Sequence, residues 1–407
     1  MNDIKLLKSY NLIKINASPE IWLKSMKVRI RMLKTLMNNI KRGLNKAQVK
    51  FNKYQLSKDS SRIFFFFKNK DIQAAARVLD NIFGIESYSP ALRTSDNIIN
   101  ITKRTIEVCE EILSQNDSFA LRVKRSGVHE YTSLEVAEKV GKAVLEQLAH
   151  LNLKVNLSNP DKTIFIEVRN DFSYVYTDIV KNYWGGLPIE DHKKVVCMDV
   201  SRIHDLMAGF LVMRRGCRIF PILFLLTENE KVVEFSKNNW KEVLKFIPLS
   251  SLNIKVINIV DILKKIKQNV NNPSTLCALC RLVRFDIISR MLNDQKAKEY
   301  DNVKAITDGV SLNNLNYCSD EVDLQSMALN YLFSQYPIFT PIVAFDEAQL
   351  KEFLTNISRK LKMIDYCQFK PQNQTIDIKE LKTLYKSLNL NDLILEVLNK
   401  TKLYQIS

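Results

Sequence analysis

The residues best suited to chemistry are two cysteines three positions apart, Cys277 and Cys280, in a Cys-Ala-Leu-Cys run shortly after Pro273. At the start of a helix predicted over 278–292, such a pair has lowered thiol pKa values and can bite one metal ion or cluster. A second Cys-x-x-Cys, which would mark a zinc site, is missing from the sequence, so the pair alone is a weak signal beside plain buried thiols. Cys109, Cys197 and Cys217 occupy apolar positions and read as core thiols. His129 and His150 lack ligand spacing, His192 sits in a polar interdomain stretch, and no Ser-His-Asp arrangement is recognisable. Seven cysteines in 407 residues are an odd number in a chain too large to need disulfide staples. A reducing, cytoplasmic setting is expected.

The second chemical feature is cationic. Residues 1–70 hold 17 Lys and Arg against Asp3, Glu20 and Asp59, which is +14 of the chain's +16. So concentrated a field draws a polyanion, with nucleic acid the leading partner and an acidic membrane surface the second. A solvated lysine-rich surface is the plain alternative. No apolar run approaches the roughly 18 residues of a membrane span, and the charged N-terminus has no signal-peptide core. Apolar residues from Ile21 to Leu44 recur at helical spacing, with Lys24, Lys27, Arg31, Lys34, Lys41 and Arg42 on the opposite face. On a predicted strand over 118–125, Arg122 and Lys124 share one face beside Arg125, and Arg169 ends another strand.

These groups must be positioned by a chain long enough for two or three domains. A strand at 10–16, the helix at 21–44, strands at 50–56 and 62–68, a helix at 72–82 and a strand at 85–92 give a β-α-β-β-α-β order, the ferredoxin-like split unit. Its Phe64–Phe67 run reads as a buried strand, with an aromatic platform for bases as the alternative. Helices at 98–115 and 133–148 and strands at 118–125, 162–169 and 172–180 follow, the last two joined by an Asn170-Asp171 turn. From 190 onward, apolar strands at 194–200, 217–226, 253–259, 303–307 and 338–343 alternate with helices at 205–214, 231–246, 278–292, 321–333 and 346–360. That alternation predicts a doubly wound parallel α/β sheet, whose ligands sit beyond the carboxyl ends of its strands. A helical tail is expected over 376–403.

Several segments together resemble one family. Residues 119–148 and 159–182 are similar to a THUMP domain, an RNA-binding module, and PEIWLKSMKVRIRMLKTLMNNIKRGL is similar to a ThiI-type ferredoxin-like segment. GGLPIEDHKKVV, LMAGFLVMRRGCRIFPILFLL, CALC and IDYCQFKPQNQT then keep the order of the tRNA sulfurtransferase, or tRNA 4-thiouridine synthase (ThiI-type), family. The resemblance implies a basic ferredoxin-like domain over 1–95, THUMP over 96–185, a Rossmann-like PP-loop ATPase domain over 190–380 and a helical tail over 381–407. It implies tRNA as partner, with the cations named above as its contacts. It also implies ATP–Mg-dependent adenylation of a uridine oxygen, displacement of AMP by sulfur, and membership of a family that often dimerises.

The family's SGGxDS loop corresponds here to Val200-Ser201-Arg202-Ile203-His204-Asp205, and both glycines are gone. Those glycines let backbone N–H groups approach the pyrophosphate at a helix N-terminus. ATP binding is therefore expected to be lost, with an anion site made from the side chains of Ser201, Arg202 and His204 as the alternative. The chain holds only nine glycines, too few to argue for a Gly-rich phosphate loop elsewhere. The TG-[DE]-S-L-G-Q segment has likewise become Thr307–Asn314 without its final Gly-Gln. The resemblance further assigns Cys367 to sulfur transfer, or to an iron–sulfur cluster with Cys277 and Cys280. Zinc with a fourth ligand from His or Cys318 is the other possibility. Two functions follow as expectations: a tRNA-binding member without adenylation, acting alone or beside an active partner or sulfur donor, or an active synthase with an unusual loop.

Overall fold

A computed structural model describes residues 6–270, 273–294, 300–311, 329–362, 367, 369 and 378–407. Most of the expected helix at 321–333, Cys318, Leu312–Asn314, the residues flanking Cys367 and the start of the tail lie outside the described residues. The chain divides into two compact units, 1–187 and 188–407. No described helix is long and apolar enough to cross a membrane.

The first unit opens with β1 (Leu12–Ala17), α1 (Pro19–Trp22), α2 (Met26–Lys46), β2 (Lys53–Leu56), β3 (Ile63–Phe66), α3 (Asn69–Leu79) and β4 (Ile85–Ser95). It continues with α4 (Ile98–Ile112), β5 (Ser118–Ser126), α5 (Ser133–Gln147), β6 (Lys154–Val155), β7 (Lys162–Arg169), β8 (Phe172–Tyr176) and β9 (Val180–Lys181). One sheet runs β2-β3-β1-β4-β8-β7-β5-β6, with β9 also on β4. The long β4 belongs to two layers. Ile85–Ala91 pairs with β1, whereas Leu92–Ser95 pairs with β8. On a flat sheet β3 and β8 would lie three strand spacings, about 14 Å, apart. Instead the Phe64 and Tyr174 rings stack at 4.3 Å, so the sheet folds back on itself.

That fold explains the phenylalanine run. Phe65 and Phe67 join the core shared with the helices, while Phe64 and Phe66 join an aromatic layer with Leu12, Ala91, Tyr174 and Tyr176. The four side chains are 1, 0, 7 and 3 % exposed. They form a core covered on both sides, and a base-stacking platform is ruled out. Thr132 and Glu135 close a capping box at α5, and Asn170 takes a left-handed φ of 46° in the β7–β8 turn.

The expected helix at 21–44 is corrected in one respect. It breaks at Leu23–Ser25, and α2 starts afresh from Ser25 as N-cap. The break rotates Met26 out of the buried stripe, leaving it 59 % exposed while Met32 is buried.

The second unit contains β10 (Leu187–Asp199), α6 (Ile203–Arg214), β11 (Arg215–Leu225), α7 (Lys231–Val243), β12 (Leu252–Asn258), α8 (Val260–Asn269), α9 (Pro273–Asn293) and β13 (Val303–Thr307). It ends with β14 (Ile338–Phe339), α10 (Glu347–Ile357), α11 (Ile378–Ser387), α12 (Asn391–Asn399) and β15 (Lys402–Ile406). Its sheet order is β14-β13-β10-β11-β12-β15. The β10–β13, β11–β12 and β13–β14 pairs are parallel. The tail is not helical throughout, because β15 adds an antiparallel edge to β12. A further correction concerns α9. Pro273 begins the helix, so Cys277 and Cys280 lie inside it rather than ahead of it. The dipole effect fades beyond the first turn, which removes that reason for a lowered thiol pKa.

Candidate functional site

The carboxyl ends of β10 and β13 meet the N-terminus of α6, where Val200–Asp205 forms a tight turn. Ser201 has a left-handed φ of 67°. The side chains of Ser201, Arg202, His204 and Asp205 are all buried. The loop's backbone donors turn inward. The Val200 N–H donates to Asp205 Oδ2 at 3.0 Å, Ser201 N–H to Asp199 Oδ1 at 2.6 Å, and Asp205 N–H to the Arg202 carbonyl at 3.2 Å. Asp199 also accepts from Ser236 Oγ and Trp240 Nε1, each at 2.8 Å.

Across the loop, Gly309 is packed against the first turn of α6. A Cβ there would fall 2.4 Å from Asp205 Oδ1 and 2.6 Å from Asp205 N and His204 C. The neighbouring Asp308 is fully buried and pairs with Arg281 of α9. Arg284, one turn on, is also buried. Ser201 Oγ, His204 Nε2 and one oxygen each of Asp205 and Asp308 have no hydrogen-bond partner among the described residues.

Such burial shapes the titration. It drives the His204 imidazole down to about 4, with Arg202 adding to the effect, so His204 is neutral at physiological pH. Burial, then the charges of Asp199 and Asp308, hold the Asp205 carboxyl well above its usual range. The folded state thus binds this proton more tightly than the unfolded chain. The stability it contributes is full below the ordinary value of 3.8 and falls as pH rises toward the raised value. Asp205→Asn, fixed in the neutral form, is expected to raise the urea midpoint at pH 7–8 and flatten its pH dependence. A midpoint below wild type across pH 5–8 would contradict this.

Cys280 is buried and Cys277 half-buried, one helical turn apart, and Cys367 packs against the same core as Cys280. Among the described residues no three His, Cys, Asp or Glu side chains gather as a metal requires. No chemistry is routed here through a cluster at these three thiols. Cys109 and Cys197 are core thiols, each pushed up to about 12 by burial; Cys217 is half-buried.

The cations divide into two kinds. Lys24, Lys27, Arg31, Lys34, Arg42, Lys124 and Arg125 are exposed. Lys41 is half-buried and reaches Tyr54 Oη at 3.1 Å, and Arg122, though exposed, donates to the Leu157 carbonyl. Arg169 departs from the expected solvent-facing role. Its guanidinium contacts Glu167, Ser61 Oγ at 2.6 Å and Asp59 Oδ2 at 2.7 Å. These carboxylates match its charge inside a network the sequence reading missed. Lys14 Nζ meets Glu167 Oε2 at 2.7 Å, both side chains only 3 % exposed, and Arg62 Nε lies 3.1 Å from Glu167 Oε1. Asp199, Asp308, Arg281 and Arg284 were missed likewise. The available signal was a charge inside an apolar run, as in LIKIN, IFIEV and CMD.

Family descriptions match in chain order: a ThiI ferredoxin-like domain over 12–89, a THUMP domain over 95–178 and thiamine biosynthesis protein ThiI over 192–390. The chain is also 30% identical over 391 residues to a "Probable tRNA sulfurtransferase" of Saccharolobus islandicus, covering 93% of this chain and 96% of that protein. The chain belongs to the ThiI-type tRNA sulfurtransferase family. A relative of the same name from Methanobrevibacter smithii is 28% identical over 355 residues, covering 83% of this chain and 84% of that one. Among solved structures, a 4-thiouridine synthetase in complex with RNA and bound ATP is similar with a TM-score of 0.78 and 20% identity, over 98% of this chain and 100% of that chain. A Pyrococcus horikoshii protein gives 0.63 and 23%, over 85% and 99%. At such identities the likeness shows the fold: ferredoxin-like, THUMP and PP-loop parts in the order of this sulfurtransferase family.

Proposed function

We propose that this chain is a tRNA-binding sulfurtransferase-family member whose nucleotide loop no longer takes up ATP, so that it serves tRNA thiolation without itself adenylating the uridine. One observation carries the reading. The N–H groups of Val200, Ser201 and Asp205, which the family's loop would aim at a pyrophosphate, donate to internal acceptors instead. A helix N-terminus binds phosphate only when such donors face the ligand. The basic first unit supports the tRNA half of the reading, with Lys24, Lys27, Arg31, Lys34, Lys41, Arg42, Arg122, Lys124 and Arg125 as phosphate contacts and Arg169 as an internal tie. Adenylation then falls to an intact family member acting on the same tRNA.

Calorimetric titration with ATP and Mg²⁺ is expected to show no saturable binding, while an unmodified tRNA transcript binds. Micromolar ATP affinity, or sulfur transfer from sulfide to tRNA by this chain and ATP without a partner, would restore the active-synthase reading. A second reading concerns Cys277, Cys280 and Cys367 as iron–sulfur ligands, supported by Cys280 and Cys367 packing in one core and by Cys277 lying one turn from Cys280 in α9. Anaerobic reconstitution with ferrous iron and sulfide decides it. Bound iron that is lost in Cys277→Ala favours the cluster, and an iron-free protein dismisses it.

A further inference from the structure

The break between α1 and α2 builds a knuckle tied by hydrogen bonds. Leu23 caps α1, with its N–H donating to the Pro19 carbonyl at 3.3 Å, and the Arg29 N–H donates to the Ser25 carbonyl at 2.8 Å. Arg29 then reaches back across the turn. Its Nη2 donates to the Trp22 carbonyl at 2.6 Å and the Lys24 carbonyl at 3.4 Å, and its guanidinium lies 4.6 Å from the Trp22 ring centroid. The knuckle presents two apolar side chains to solvent, Leu23 at 86 % and Met26 at 59 % exposed. Lys24 and Lys27 are exposed beside them, and Arg31 and Lys34 continue the Lys27 face along α2.

We propose that this knuckle is a mixed contact within an RNA-docking surface. Lys24, Lys27 and Lys34 hold phosphates, while Leu23 and Met26 lie against riboses and base edges in the wide, shallow minor groove of an A-form duplex. The inference rests on the tRNA-binding reading. Charge chooses the partner. The first 70 residues carry +14, and of their three acids Asp59 is already paired with Arg169. An acidic membrane fits less well, because an interfacial helix needs a broad apolar face, and the knuckle offers two side chains.

The test compares wild type, Leu23→Ser/Met26→Ser and Lys24→Ala/Lys27→Ala by fluorescence anisotropy with an unmodified tRNA transcript over a range of salt. All the altered side chains are exposed, so circular dichroism should be unchanged. The apolar double variant is expected to lose about tenfold in affinity with the same slope of log K against log salt. The lysine variant should flatten that slope, roughly by 0.9 for each phosphate no longer neutralised. If wild type fails to bind tRNA, the tRNA-binding reading falls, and this one with it. If wild type binds and Leu23→Ser/Met26→Ser matches it, this inference alone is overturned. Loss of binding to phosphatidylserine vesicles, with tRNA affinity intact, would reassign the knuckle to a membrane surface.

Discussion

Glu167→Ala is expected to destabilise the first unit by about 3–5 kcal/mol, the range for removing one partner of a buried ion pair. The Lys14 ammonium would stay behind, 2 % exposed and 3.8 Å from the Tyr176 ring centroid, without its carboxylate. The pH dependence carries the signature. Burial opposes ionisation of Glu167, but the charges of Lys14, Arg62 and Arg169 overcome it and hold the carboxyl down at about 2. A depressed carboxylate contributes stability above its ordinary value of 4.5, and that contribution is lost as pH falls from 4.5 toward 2. Burial likewise brings Lys14 down to about 8, against the pull of Glu167. The unfolded chain then holds that proton more tightly, so folded stability rises between pH 8 and 10.5. Without Glu167, Lys14 is easier still to deprotonate, and the penalty should be larger at pH 6 than at pH 10. Lys14→Met/Glu167→Leu removes both charges and should recover much of the loss. Urea midpoints for Glu167→Ala equal to wild type at pH 6 would sink the argument.

The second large effect is expected at Gly309. Its added Cβ would strike the backbone of α6 as well as the Asp205 carboxylate, and helix backbone does not step aside as a flexible side chain can. The strand-end loop must lift away and strain the buried Arg281–Asp308 pair. Gly309→Ala should therefore cost about 3 kcal/mol, the upper range for overpacking, confined to the second unit. Gly141 in α5 provides the opposite sign. Its Cβ would meet only Leu121 Cδ1 at 3.8 Å, so Gly141→Ala should stabilise by roughly 0.5–1 kcal/mol through helix propensity. Thermal and urea melts decide both. A Gly309→Ala protein as stable as wild type would mean the loop does not sit on α6 as described.

Much of the fold was legible because it follows local rules. Alternating apolar runs gave the strands, and Asn170-Asp171 gave a hairpin turn. Long-range consequences were not legible. Nothing local shows that Phe64 and Phe66 would be covered by a second layer, or that Arg169 at a strand end would find Asp59 from a distant loop. Periodicity carried the basic helix straight through Leu23–Ser25, since a break of three residues costs the apolar stripe only Met26. At the candidate site, the absence of glycine from Val200–Asp205 was plain in the sequence. The inward turn of the loop's N–H groups was not, because it depends on Asp199 and Asp205 accepting them. The Cys277 and Cys280 spacing was visible, but whether a third thiol joins them is a property of tertiary structure.

The strand shared by two layers has a consequence for inheritance. β4 gives its first half to β1 and its second half to β8. A recombination point within it would leave one daughter fragment with an open sheet edge and an uncovered aromatic layer. The ferredoxin-like and THUMP parts of this chain should therefore travel together, as one cassette, when such genes are shuffled.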